Sequence, residues 1–172
     1  MSLPRRSTRN GTRGYAHLVE VDAPVGRVWR ALTEPALIKI WSGMEAEVDA
    51  RAGGVYRMGK RGAGAREAHI DVFEPNRRLR LIYLNSRDWP RADSAIVDDF
   101  ILDARKGEGK TSLRLLGSGV PDSSEWDKPY ARIRMGWERF LARIKVALES
   151  PPQPLKPVKA PPKDPPLPGL DY

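Results

Sequence analysis

The stretch YARIRMGWERFLARIKVAL, Tyr130–Leu148, decides the fold. Tyr130, Ile133, Trp137, Phe140, Leu141, Ile144 and Leu148 recur at three- and four-residue steps, the period that stacks side chains on one face of an α-helix. Arg132, Glu138, Arg139, Arg143 and Lys145 fall mostly off that face. The pattern predicts a long amphipathic helix with a wide apolar stripe. Ser123 or Ser124 is placed to cap its start, with Asp127 positioned to answer Ser124. Pro151 marks its end. Such a stripe has to be buried, so the segments before it must supply the surface that it covers.

They read as a sheet. Tyr15–Val21 alternates as a strand. Pro24, with Asp22 or Ala23 near the cap, opens a helix carrying Val25, Val28, Trp29 and Leu32. Thr33, Glu34 and Pro35 break it, and Pro35 begins a second short helix through Leu37, Ile38 and Trp41. Strands follow over Met44–Ala50, Val55–Gly59, Ala65–Glu74, Leu79–Leu84, Ala95–Ala104 and Thr111–Gly117. Turn residues separate them: Gly53-Gly54, the Gly62/Gly64 segment, Pro75-Asn76, a polar loop over 85–94 with Trp89-Pro90, and Lys106–Gly109. A strand, two short helices, six hairpin-connected strands and a long helix is α+β order. The expected architecture is a curled antiparallel sheet gripping the last helix, with a void between them as the natural place for a ligand.

The 172 residues suit one domain at 15–150, between a basic arm at 1–14 and a tail at 151–172. The arm and tail read as disordered and flexible. Nine of the 16 prolines lie in the tail, which favours polyproline II conformation and offers a possible docking segment for a protein partner. Net charge is +8, but Arg5, Arg6, Arg9 and Arg13 alone supply half of it. Acids and bases nearly balance over 15–150, which argues against specific nucleic-acid binding. No stretch approaches the ~20 apolar residues of a membrane span. The basic start has no apolar run after it, as a secretory signal would. With no cysteine, disulfides, thiolate metal sites and cysteine nucleophiles are excluded, and a cytoplasmic location is expected.

Side-chain alternation places the candidate site. Tyr56 and Met58 share one face of their strand, Ile70 and Val72 a face of theirs. Leu79, Leu81 and Tyr83 share another, as do Leu113 and Leu115. Ile96, Asp98, Phe100 and Leu102 lie together, so Asp98 points inward among apolar neighbours. A buried carboxyl group pairs with an arginine or a tyrosine hydroxyl, with Tyr56 and Tyr83 as candidates, or stays protonated. The competing reading has Asp98 near the strand's end, or a bulge turning it outward. Trp29 and Trp137 read as core, and the indole N–H of Trp137 needs an acceptor when buried. Trp41 and Trp89 read as a cavity mouth or a lid, with ordinary core packing as the alternative for Trp41.

His17 and His69 have no spacing that would make a metal site, and neither G-x-S-x-G nor H-E-x-x-H occurs. Gly59–Gly64, GKRGAG, lacks P-loop spacing and reads as a hairpin turn. No metal or cofactor is expected.

The segments APVGRVWRALTEPALIKIW, AGGVYRM, DVFEPNRRLRLIY, KTSLRLLGSGVP and GWERFLARI, arriving in this order, resemble the START-like (SRPBCC) superfamily. Within it they are most similar to the bacterial family related to the C-terminal domain of the activator of the heat-shock chaperone ATPase. The resemblance covers residues 15–149. It implies a helix-grip fold with an internal, mostly apolar cavity. The superfamily includes lipid and hormone carriers, aromatase/cyclases and other small-molecule binders, and the leading expectation is a non-enzymatic binder of a small apolar or aromatic molecule. The expected lining is Trp41, Tyr56, Met58, Tyr83, Phe100, Ile133 and Trp137, with Asp98 as a polar anchor. The alternatives are a chaperone- or stress-related protein-interaction module, and a cyclase- or hydrolase-type enzyme with Asp98 as its base.

Overall fold

A computed structural model describes residues 11–60, 65–105, 107 and 109–150. The first ten residues of the basic arm, the Gly62/Gly64 turn, and the proline-rich tail lie outside the described residues. The chain order is β1 (Thr12–Val21), α1 (Val25–Thr33), α2 (Pro35–Ser42), β2 (Ala46–Val48), β3 (Val55–Met58), β4 (Arg66–Glu74), β5 (Arg78–Tyr83), β6 (Val97–Arg105), β7 (Lys110–Pro121), a single 3-10 turn (Ser124–Trp126) and α3 (Asp127–Glu149). The seven strands form one antiparallel sheet in the order β1-β7-β6-β5-β4-β3-β2. Strands β2 to β7 run as a meander, and β1 closes against β7. This is the expected α+β helix-grip architecture. Among the described residues, no helix is long and apolar enough to cross a membrane.

Proline and glycine punctuate the two short helices. Extended Pro24 precedes α1, and Thr33 ends it by returning its hydroxyl to the Trp29 carbonyl at 2.9 Å. Glu34 is extended, as a residue before proline prefers, and Pro35 restarts the helix. Gly43 closes α2 in the left-handed region at φ 72°. The β2–β3 turn depends on Gly54, where a Cβ would sit 2.0 Å from the Asp49 carbonyl oxygen.

Helix α3 buries Ile133, Trp137, Leu141 and Ile144 against the sheet, with Tyr130, Phe140, Ala147 and Leu148 packed at its margins. Each fully buried side chain of this size contributes roughly 2 kcal/mol. Polar contacts fix the helix along β1. Arg13 pairs with Asp127 at 2.8 Å, Tyr130 donates its hydroxyl to the Gly14 carbonyl at 2.7 Å, and Lys145 reaches the Glu20 carbonyl at 2.6 Å.

Three local expectations change. Neither Ser123 nor Ser124 caps α3: the 3-10 turn intervenes, Trp126 occupies the N-cap, and Asp127 serves the first turn as an acid paired with Arg13. Strand β1 starts at Thr12 rather than Tyr15, because residues 12 and 13 pair with the extended end of β7. Ile70 and Val72 do not share a face. A bulge between them puts Val72 opposite Arg80 and brings Phe73 inward, against Trp29 at 5.1 Å.

Candidate functional site

The site begins with a charge buried inside the sheet–helix sandwich. Ile96, Asp98, Phe100 and Leu102 all face inward, and Asp98 is fully buried. It stands beside Leu81 of β5 on one side and Gly117 of β7 on the other. Gly117 in turn pairs with Tyr15 of β1. The Tyr15 ring lies flat across Gly117, where an added Cβ would meet ring carbons at 2.1–2.5 Å. The absent side chain lets Tyr15 span a whole strand and donate its hydroxyl to Oδ1 of Asp98. From the other side, Nε1 of Trp137 donates to Oδ2 at 2.8 Å. Each of these charge-assisted bonds contributes about 1.5–3 kcal/mol, which offsets the desolvation of the carboxylate. Burial, and then the negative charge of Asp98, push the Tyr15 hydroxyl far above its ordinary pKa, so it remains a donor.

Of the two tyrosines expected to partner Asp98, Tyr56 does not. Its hydroxyl donates to the Leu32 carbonyl at 2.8 Å and ties β3 to α1. Tyr83 lies near enough that burial first and Asp98 second raise its hydroxyl pKa.

The arginine that meets Asp98 is Arg66, at the start of β4. Its Nη2 stands 3.7 Å from Oδ2. The guanidinium lies over three rings, 4.7 Å from the centre of Tyr83, 5.4 Å from Trp89 and 5.5 Å from Trp137. These cation–π contacts hold it in an aromatic frame. Arg66 shares the inward face with Ala68 and Ile70, and that alternation was readable in the sequence. The sequence places it within the expected strand Ala65–Glu74 but assigns it no role.

Arg66 opens onto a cleft of about 480 Å³. The cleft lies between the β4 and β5 ends, the 85–94 loop and the first half of α3. Met44, Tyr83, Trp89, Ile133 and Phe140 give it apolar walls, and Glu67, Asp88 and Arg132 add charge. Gly136 lies on the α3 wall, where a Cβ would meet nothing within 4 Å. A glycine inside a helix costs about 1 kcal/mol relative to alanine. Here it leaves open space on the cleft side.

The expected lining residues divide by position. Tyr83 and Ile133 line the cleft. Tyr56, Met58, Phe100 and Trp137 are packed in the core behind it, and Phe100 meets Trp137 edge-on at 5.1 Å. Trp41 packs against Trp137 and Phe140 and gives its indole N–H to the Ala31 carbonyl at 2.8 Å. Its outer edge borders grooves between α2 and α3. Side chains therefore fill the middle of the sandwich, and the open volume lies at one end. Trp89 stands at that end, packed edge-on against Trp126 at 5.9 Å.

His69 is exposed and His17 half-buried on β1. Among the described residues, no group of three or more acidic, histidine or cysteine side chains could hold a metal. A general base needs a lone pair within reach of its substrate. Asp98 is fully buried, with both oxygens engaged by donors, an arrangement suited to anchoring neighbours.

The family model for Activator of Hsp90 ATPase homolog 1-like proteins matches residues 22–149. No curated protein matches the chain. Among solved structures, protein MLL2253 from Mesorhizobium loti is 26% identical with a TM-score of 0.65, over 77% of this chain and 94% of its own. The Aha1 dimer from Colwellia psychrerythraea is 19% identical with a TM-score of 0.67, over 80% of this chain and 96% of its own. An HSP90 activator from Plasmodium falciparum is 24% identical with a TM-score of 0.64, over 80% and 97%. The last two likenesses speak to the fold alone.

Proposed function

The chain belongs to the family of Activator of Hsp90 ATPase homolog 1-like proteins, and on that footing we propose that it binds a small hydrophobic or aromatic molecule in the cleft between the sheet and α3. The observation that carries this reading is the cleft itself. Its volume of about 480 Å³ and its walls of Met44, Tyr83, Trp89, Ile133 and Phe140 suit a compact apolar ligand. Asp98, Tyr15 and Trp137 form a rigid layer behind it that keeps the wall in place.

Native mass spectrometry of the purified full chain, paired with denaturing extraction, tests the reading. A co-purified small molecule is expected, and Gly136→Leu, which fills the cleft, should release it. A protein that emerges empty, and whose tryptophan fluorescence responds to neither 2-naphthoate nor its methyl ester, would sink the proposal.

A second reading, a chaperone-related interaction module, draws on a different surface. Ile40 on α2 and Val146 on α3 are exposed by 69% and 64%, and Arg139 and Arg143 border the same shallow groove. An apolar patch with a basic rim suits a protein partner. The Plasmodium falciparum protein of like fold is described as an HSP90 activator, which makes a chaperone ATPase the first partner to try. Pull-downs with Ile40→Glu and Val146→Glu, and with residues 151–172 removed, separate the patch from the tail. If all three variants retain every partner, this reading fails.

A further inference from the structure

Two donors of the Arg66 guanidinium have no acceptor. Among the described residues, its Nε and Nη2 are buried and lack any hydrogen-bond acceptor. Asp98 does not fill that role. Its nearest oxygen stands 3.7 Å away, within ion-pair range but beyond hydrogen-bond distance. The rings of Tyr83, Trp89 and Trp137 stabilise the cation but offer no in-plane lone pair to the N–H fork. Folded proteins leave few buried donors unpaired. The missing acceptor and the open cleft occur at the same residue, because Arg66 lines the cleft with 20% of its side chain exposed.

We propose that the ligand of this cleft is an organic monoanion, an aromatic or apolar body ending in a carboxylate that Arg66 receives. The inference rests on the reading of the cleft as a ligand site and adds the charge of its occupant. A planar guanidinium fork matches a planar carboxylate with two parallel hydrogen bonds. A turn of the terminal torsions toward the opening would present that fork to the ligand. Asp98 balances the charge of Arg66, and the Nε and Nη2 donors left without an acceptor form the edge that suits one carboxylate. Glu67, Asp88 and Arg132 also line the cleft, at half-exposed or exposed positions where water screens them. The ligand's body would lie against Tyr83, Trp89, Ile133 and Phe140.

The test compares two probes of nearly equal shape, 2-naphthoate and methyl 2-naphthoate, titrated against the full chain by calorimetry. The carboxylate is expected to bind at least tenfold tighter than the ester. In Arg66→Met that preference should fall below twofold while ester affinity holds. Arg66→Lys keeps the charge without the fork and should retain only part of the preference. It also serves if the Met variant does not fold. Gly136→Leu should abolish binding of both probes, which places them in the cleft. Equal affinities for the two probes, or a preference that survives in Arg66→Met, overturn the inference and leave the cleft reading standing. If neither probe binds, both fall together.

Discussion

The indole nitrogen of Trp137 on α3 donates to Oδ2 of Asp98 on β6 at 2.8 Å, so helix and sheet are joined through a carboxylate that water does not reach. The same carboxylate receives Tyr15 from β1 and faces Arg66 from β4. Four elements therefore depend on one side chain. Asp98→Asn removes the charge that balances Arg66 and mismatches one of the two donors. It should cost about 3 kcal/mol. Urea unfolding would read this as a lower midpoint at unchanged slope. A loss under about 1 kcal/mol would mean that the cluster contributes little to stability.

Tyr15 and Gly117 are matched in shape, since the ring occupies the space that a β-carbon would take. Gly117→Ala should displace the ring, weaken its bond to Asp98 and cost about 1–3 kcal/mol. Combined with Tyr15→Phe, the two losses should not add, because they remove the same contact. Additive losses in a double-mutant cycle would disprove the coupling.

Alkaline pH probes the same cluster. Tyr15, Tyr56 and Tyr83 all have hydroxyls raised above the usual value of 10.0, by burial first and by Asp98 second. The folded state thus holds protons that the unfolded chain releases near pH 10. The stabilisation is complete below that pH and is lost as pH rises above it, by about 1.4 kcal/mol per pH unit for each such tyrosine. Tyr15→Phe should flatten the decline seen in unfolding midpoints above pH 10. An unchanged slope would remove Tyr15 from the account.

Gly136 separates stability from ligand space. Gly136→Ala should raise stability by about 1 kcal/mol, because the helix gains propensity and the new methyl meets no neighbour. Thermal unfolding measures this directly, and a destabilised variant would show that the cleft wall is more crowded than described.

The fold was legible because its two periods are clean. The three- and four-residue steps from Tyr130 to Leu148 and the alternation through Ile96, Asp98, Phe100 and Leu102 both describe what is found. The inward Asp98 followed from the second pattern. Its partners were harder to read. Tyr15 reaches it across β7, through a register that shifts between Arg13 and Tyr15, and no local pattern encodes that path. Val72 changes face at a bulge, which alternation alone cannot foresee. Arg66 lay inside the expected strand Ala65–Glu74, two residues before Ala68, but nothing local marked it as the partner of Asp98. The position of the open volume depends on how Trp41, Phe100, Trp137 and Phe140 interlock, and that is a property of three-dimensional packing.

The pairing of β1 with β7 also bears on how the molecule comes into being. Thr12 lies opposite Pro121, and the helix that rests along β1 ends at Glu149. During synthesis the first strand emerges with no neighbour and waits for the last strand and the last helix. The meander of β2 to β6 joins only sequence neighbours and can assemble as it appears. The Tyr15–Asp98–Trp137 junction unites the beginning, middle and end of the domain, so forming it requires a long loop to close. A chain interrupted before α3 would leave the inner face of its sheet uncovered and its first strand unpaired. Such a nascent intermediate would be open to aggregation until the final helix docks.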